Sequence, residues 1–201
     1  MSKANKNFIE YNCKNGVYSV DGSEVKPLNY LVSVMLDRAI TQTNKYGDGE
    51  VILSKLDDSG FSGTLEMTAH DEDLEKDLGF IEEIAQGTAD VQVLENKNIS
   101  IGFETYVTND AGVTMTKKIW LLNVNVAPAS ESYSQNTDTT NEATASYGLT
   151  VKGVNKKTAT GDEDYRDVNG NTKKVYKVRA VPTDNAYDTF FATVPVPTAK
   201  E

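Results

Sequence analysis

The sequence predicts an all-β fold, a β-sandwich or flattened barrel flanked by one short α-helix and joined by long polar loops. Three observations predict it. Apolar and polar residues alternate with period two in several separate runs, the pattern of half-buried strands. Glycine, asparagine and aspartate cluster between those runs, as turns require. One stretch alone switches to helical spacing, at residues 71–79.

The first clear strand covers 61–69, where Phe61, Gly63, Leu65, Met67 and Ala69 share one face and Ser62, Thr64, Glu66 and Thr68 the other. Ile99, Ile101, Phe103, Thr105 and Val107 repeat the pattern, as do Trp120, Leu122, Val124 and Val126. Ala143 to Val151 alternates next, then Tyr176, Val178 and Ala180, then Phe190, Ala192 and Val194. Residues 28–40 fit either period and are read as strand. The turn around Asp110 and Gly112 predicts a hairpin between 99–107 and 115–126, and Asn169-Gly170 predicts a second. Residues 41–50, 131–142 and 153–161 read as polar loops, the first two expected to order only on assembly. The chain is expected to form a single domain over 1–201, with an extended loop at 131–142 and a C-terminal hairpin region at 156–201.

At Ala69 the period changes. Asp71 is a good N-cap, Glu72, Asp73 and Glu75 place negative charge in the first turn, and Gly79 suits a left-handed C-cap. Leu74 and Leu78 stand four apart, share one face and are expected to pack the helix onto the sheet. The only histidine, His70, falls in the preceding turn, and the acidic run reads as a solvated helix face.

Chemistry is sparse. The acids do not follow calcium-loop spacing at 71–77, and Arg166 breaks the similar pattern at 162–166. One histidine and one cysteine, Cys13, are too few for zinc or a disulfide. "GDGEVI" from Gly47 lacks the third glycine of a dinucleotide loop, and no G-x-S-x-G elbow exists. No catalytic, cofactor or metal residue is therefore assigned, and no enzyme is expected. The net charge of −10 argues against a protein that grips nucleic acid. Residues 57–95 concentrate it, with twelve acids against Lys76, a local net of −11. No run approaches the ~18 apolar residues of a membrane span, and the start has no signal-peptide core. Folding in a reducing cytoplasm is expected.

The order of features resembles a known family. "KNGVYSVDGSEVKPLNYLVSVMLDRA" precedes "KYGDGEVILSKLDDSGFSGTLEMTA", then the helix "DEDLEKDLGF", then "ISIGFETYVTNDAGVTMTKKIWLLNVNVAPAS", a polar stretch and "ATASYGLTVKGV". This resembles the major tail tube protein of long-tailed, non-contractile bacteriophages of Gram-positive hosts, over residues 14–154. Residues 156–201 match that family poorly, and 81–98 are unusually acidic for it. The resemblance implies a structural virion protein of the tail, assembled in the host cytoplasm. Its partners would be itself, as stacked hexameric rings, with tape measure and tail terminator or distal tail proteins. Phage DNA would pass through the channel without specific binding. On that reading Glu66 and Glu104, on polar strand faces, are candidates for the channel lining. The alternative is a β-sandwich carbohydrate-binding or adhesin module of a phage baseplate or cell surface. Against it, the single Trp120 lies inside an alternating strand rather than in an exposed aromatic cluster.

Overall fold

The structure, a computed structural model, describes residues 7–95, 97–109, 111–131 and 144–199. The strands are β1 (Asn7–Val20), β2 (Lys26–Leu28), β3 (Leu31–Gly47), β4 (Glu50–Met67), β5 (Ile81–Ile84), β6 (Gly87–Asp90), β7 (Asn98–Asn109), β8 (Thr114–Val126), β9 (Ser130–Glu131), β10 (Ala145–Val151), β11 (Val154–Asn155), β12 (Lys174–Val175) and β13 (Lys177–Ala180). One helix, α1 (Glu72–Leu78), follows β4. The chain is all-β with one short helix. The main sheet runs β2-β1-β7-β8-β10-β4-β3, and β13 and β9 pair onto β8 and β10. Every described pairing of named strands is antiparallel.

The inward face of this sheet makes the main core. Leu65 and Met67 from β4, Ile101 and Phe103 from β7, Leu121 from β8 and Tyr147 from β10 are buried together. The helix closes one end, with Leu74 and Leu78 0% and 2% exposed in the same cluster. Asp71 caps it, its side chain accepting from Leu74 N, and Gly79 ends it at φ 77°.

Strand β8 is buried on both sides. Ile119 and Leu121 face the main core, while Trp120 and Leu122 pack under a second layer with Ala180 and Phe190. The Trp120 indole N–H donates to Phe190 O at 2.8 Å. The sequence pattern placed Trp120, Leu122, Val124 and Val126 on one face. Instead, Val124 and Val126 join the main core. Asn123, at φ 53°, breaks the alternation between the two pairs. The expected alternating run at 190–194 is not a strand. Successive three-residue turns, Tyr187 N to Asp184 O, Phe190 N to Tyr187 O and Ala192 N to Thr189 O, fold it over Trp120.

The largest correction concerns residues 41–50. They are no loop: β3 and β4 stay paired from Ile40↔Asp58 to Gly47↔Glu50. The two-residue tip is Asp48-Gly49, with φ 51° and 83°. Both values are positive, as a type I′ turn needs, and Asp-Gly is among the dipeptides that tolerate it. The sequence pattern also shows neither the hairpin β5–β6 nor most of β1, because short acidic runs and bulged strands have no clean period. The loop expected at 131–142 lies outside the described residues apart from Glu131, which ends β9.

Candidate assembly surface

Three surfaces stand out, and each follows from how β3 and β4 leave the core. Near the helix these strands carry Val34, Leu36, Leu65 and Met67 inward. At Gly63 the backbones come so close that a Cβ would lie 1.9 Å from Met35 O. Beyond Gly60, at φ 97°, the pair leaves the core as a free ribbon. From residue 40 to 59 every position except Gly47 is exposed.

The ribbon is not polar throughout. Ile40, Tyr46, Val51, Ile52, Leu53 and Leu56 are each half or more exposed, Ile52 reaching 70%. Its eight paired residues on β3 extend roughly 26 Å at ~3.3 Å per residue. A two-stranded ribbon is marginal in water without a surface to lie on. Strand β3 is also the end of the sheet path, so its outer edge offers unpaired backbone groups.

The second surface is the outward face of β3, β4 and β10. Cross-strand register lines up Ser33, Glu66 and Ser146, then Met35, Thr64 and Gly148, then Asp37, Ser62 and Thr150. Apart from Met35 and Gly148, these rows hold small polar groups and two carboxylates, with no lysine or arginine. Ser33 donates to Glu66 Oε2 at 2.8 Å, and Glu66 is otherwise open to solvent. Glu104 also lies on an outward face but in a different setting. Asn15 Nδ2 donates to it at 2.6 Å, Lys14 Nζ is 3.9 Å away, and its side chain is 13% exposed. The two sequence candidates are thus not neighbours, and Glu104 already has a counter-ion.

The third surface is the helix end. The acidic run is not simply a solvated face, as the sequence suggested. Asp71 is 3% and Glu75 7% exposed. Tyr147 donates to Glu75 Oε1 at 2.5 Å, and His70 Nδ1 lies 2.8 Å from the same oxygen. Burial pushes the Tyr147 phenol up, and its bond to Glu75 pushes it further. Asp71 also accepts from Asn29 N at 2.9 Å, and Asp77 accepts from Tyr18 and Lys26. The 3.6-residue period put leucine inward but could not show that carboxylates one position away meet donors from β1, β2 and β10. Glu72, Asp73, Glu82, Glu83, Asp90 and Glu95 remain exposed at this end.

Among the described residues no three His, Cys, Asp or Glu side chains gather as a metal site. No described helix is long and apolar enough to cross a membrane. A cavity of about 880 Å³ lies where residues 193–197 meet β7 and β8, but its Lys157 and Asp164 already pair at 2.9 Å.

No family model and no curated protein matches the chain. Solved structures overlap it weakly. A chain of the anti-feeding prophage (AFP) baseplate aligns at TM-score 0.40 and 10% identity, over 75% of this chain and 93% of that one. The Hcp protein aligns at TM-score 0.36 and 9% identity, over 69% and 88%. A chain of an extracellular contractile injection system, the PVC sheath–tube complex in its extended state, aligns at TM-score 0.34 and 19% identity, over 67% and 82%. Overlaps of this size assign neither a fold family nor an activity.

Proposed function

We propose that this chain is a structural subunit of a phage tail tube, not an enzyme, and that copies join into stacked hexameric rings around a channel for DNA ejection. The observation that carries the reading is the free β3–β4 ribbon. It exposes six large apolar side chains on a paired hairpin that nothing among the described residues covers. Such a surface is a liability for a monomer and an asset for a subunit. The bare face of β3, β4 and β10 suits a channel lining. A duplex carries two phosphates per ~3.4 Å, so lysine and arginine there would hold it back, whereas Glu66 and Asp37 would not. Glu66 contributes to a net negative lining on this reading. Glu104, paired with Lys14, contributes less.

Negative-stain electron microscopy of the purified chain tests the proposal. Rings or tubes are expected from the native chain. Ile52→Asp with Leu56→Asp should leave the melting temperature within about 2–4 °C and abolish tubes, since both side chains are solvent-exposed. Monodisperse particles under all conditions, or tubes unchanged by the double variant, contradict it.

A further inference from the structure

The end of the sheet opposite the helix is charged in the other sense. On the core side, Glu10, Thr105 and Lys117 follow the apolar residues of β1, β7 and β8, and Lys177 and Arg179 join from β13. Lys117 donates to Glu10 at 2.7 Å, and Thr105 donates to the other carboxylate oxygen at 3.1 Å. That consumes the one acid of the group. Lys177 makes no salt bridge among the described residues. Its ammonium sits 5.4 Å from the centre of the Phe61 ring, while Arg179, Lys117 and Glu10 supply its charged surroundings. Nearby Arg38 and Asp58 form their own ion pair and cancel. The mouth therefore carries three cations against one anion. It opens into a cavity of about 550 Å³, lined in part by Glu10, Cys13, Val34, Phe103, Thr105 and Lys177, between the unbonded edges of β1 and β3.

An uncompensated cation at a half-buried site is costly unless an anion meets it. Burial first, and Arg179 next, hold the Lys177 ammonium below its ordinary pKa, with Glu10 acting in the opposite direction. The chain supplies anions at its far end. Strand β1 spans the distance: Tyr18 donates to Asp77 of the helix, and Glu10, eight residues back, meets Lys117. The two ends are therefore roughly 20–26 Å apart, too far to satisfy each other within one copy.

We propose that the cationic mouth is a carboxylate-binding site, occupied by the acidic helix-bearing end of a second copy, so that copies join head to tail. This rests on the structural-subunit reading and adds the polarity of the contact. The contact is heterologous, so it joins unlike surfaces of successive copies and has a direction. Charge also sets its register, because a mouth facing a mouth, or a helix end facing a helix end, repels.

Two charge-reversed variants test it, each checked by thermal melting. The first carries Lys177→Gln and Arg179→Glu at the mouth. The second carries Glu82→Lys, Glu83→Lys, Asp90→Lys and Glu95→Lys at the acidic end, which leaves only Glu72 and Asp73 of its exposed acids and turns it net positive. Sedimentation at low salt reads self-association. Each variant alone should associate about tenfold more weakly than the native chain, and an equimolar mixture should regain association, because both of its contacts are then complementary. High salt should narrow these differences. Native-like association of either variant alone, or no recovery on mixing two folded variants, overturns the proposal. So does a mouth variant that loses stabilisation by acetate or inorganic phosphate while stacking normally, since the occupant is then a free anion. Tubes that persist in both variants would leave the tube reading intact and remove only this polarity.

Discussion

The two halves of the β3–β4 pair share one hydrogen-bond ladder and differ in almost everything else. Near the helix, Leu65 is fully buried and Leu36 packs against the core. Nine residues back along β4, Leu56 is 68% exposed. Backbone pairing is therefore not what separates a core strand from a projecting ribbon. Pairing satisfies N–H and C=O groups in both halves, but its net gain over water is small. Burial supplies most of the difference, at about 25 cal/mol per Å² of apolar surface. Among the described residues the ribbon is a strand pair with no apolar surface packed over it.

The sharpest way to test this contrast is one substitution at each end of the same strand. Leu65→Ala should cost about 2–5 kcal/mol in a denaturant melt, and Leu74→Ala a similar amount, since both leave cavities in the main core. Leu56→Ala should change monomer stability by less than about 0.5 kcal/mol. An equal loss at Leu56 would mean that the ribbon packs on its own chain. Next in size is Gly63→Ala at the crossing point. The new methyl meets Met35 O, so the strands must shift, at a cost of about 1–3 kcal/mol. Hydrogen exchange should then show loosening in the ribbon as well as at the crossing, if Gly63 anchors its base.

Asp71→Ala should cost about 1–2 kcal/mol, because Asp71 caps the helix and also holds Asn29 N–H. It should rank below the leucines in a series of melts. An effect confined to high pH is expected from Cys13, beside the gap between β1 and β3. Burial raises its thiol from 9.0 to about 11. The folded state therefore holds the proton more tightly. This contribution is complete below pH 9 and fades as the pH rises through about 11. A pH series of melts should show that fall, and Cys13→Ala should flatten it.

Much of this molecule is legible in residue order, because the signals are local. Side chains on a strand alternate by geometry, so 61–67, 99–107 and 145–151 announce themselves. The helix announces itself through Asp71, the leucine pair and Gly79. Asp48-Gly49 was equally local. Read as a hairpin tip rather than part of a polar loop, it would have revealed the ribbon.

What residue order could not decide is which surfaces are covered. Trp120 and Val124 alternate as if on one face, yet Asn123 turns them to opposite sides. Glu75 reads as a solvated acid and is buried against Tyr147, seventy-two residues away. The cationic mouth gathers Glu10, Lys117 and Lys177 from three strands far apart in sequence. The sequence by itself determined where strands alternate, where the helix begins and ends, and how charge divides along the chain, since each depends on neighbours within a turn or a strand. Only the tertiary structure decided what those faces meet. Burial and ion pairing depend on which strands lie side by side, and that is set by packing across the whole sheet.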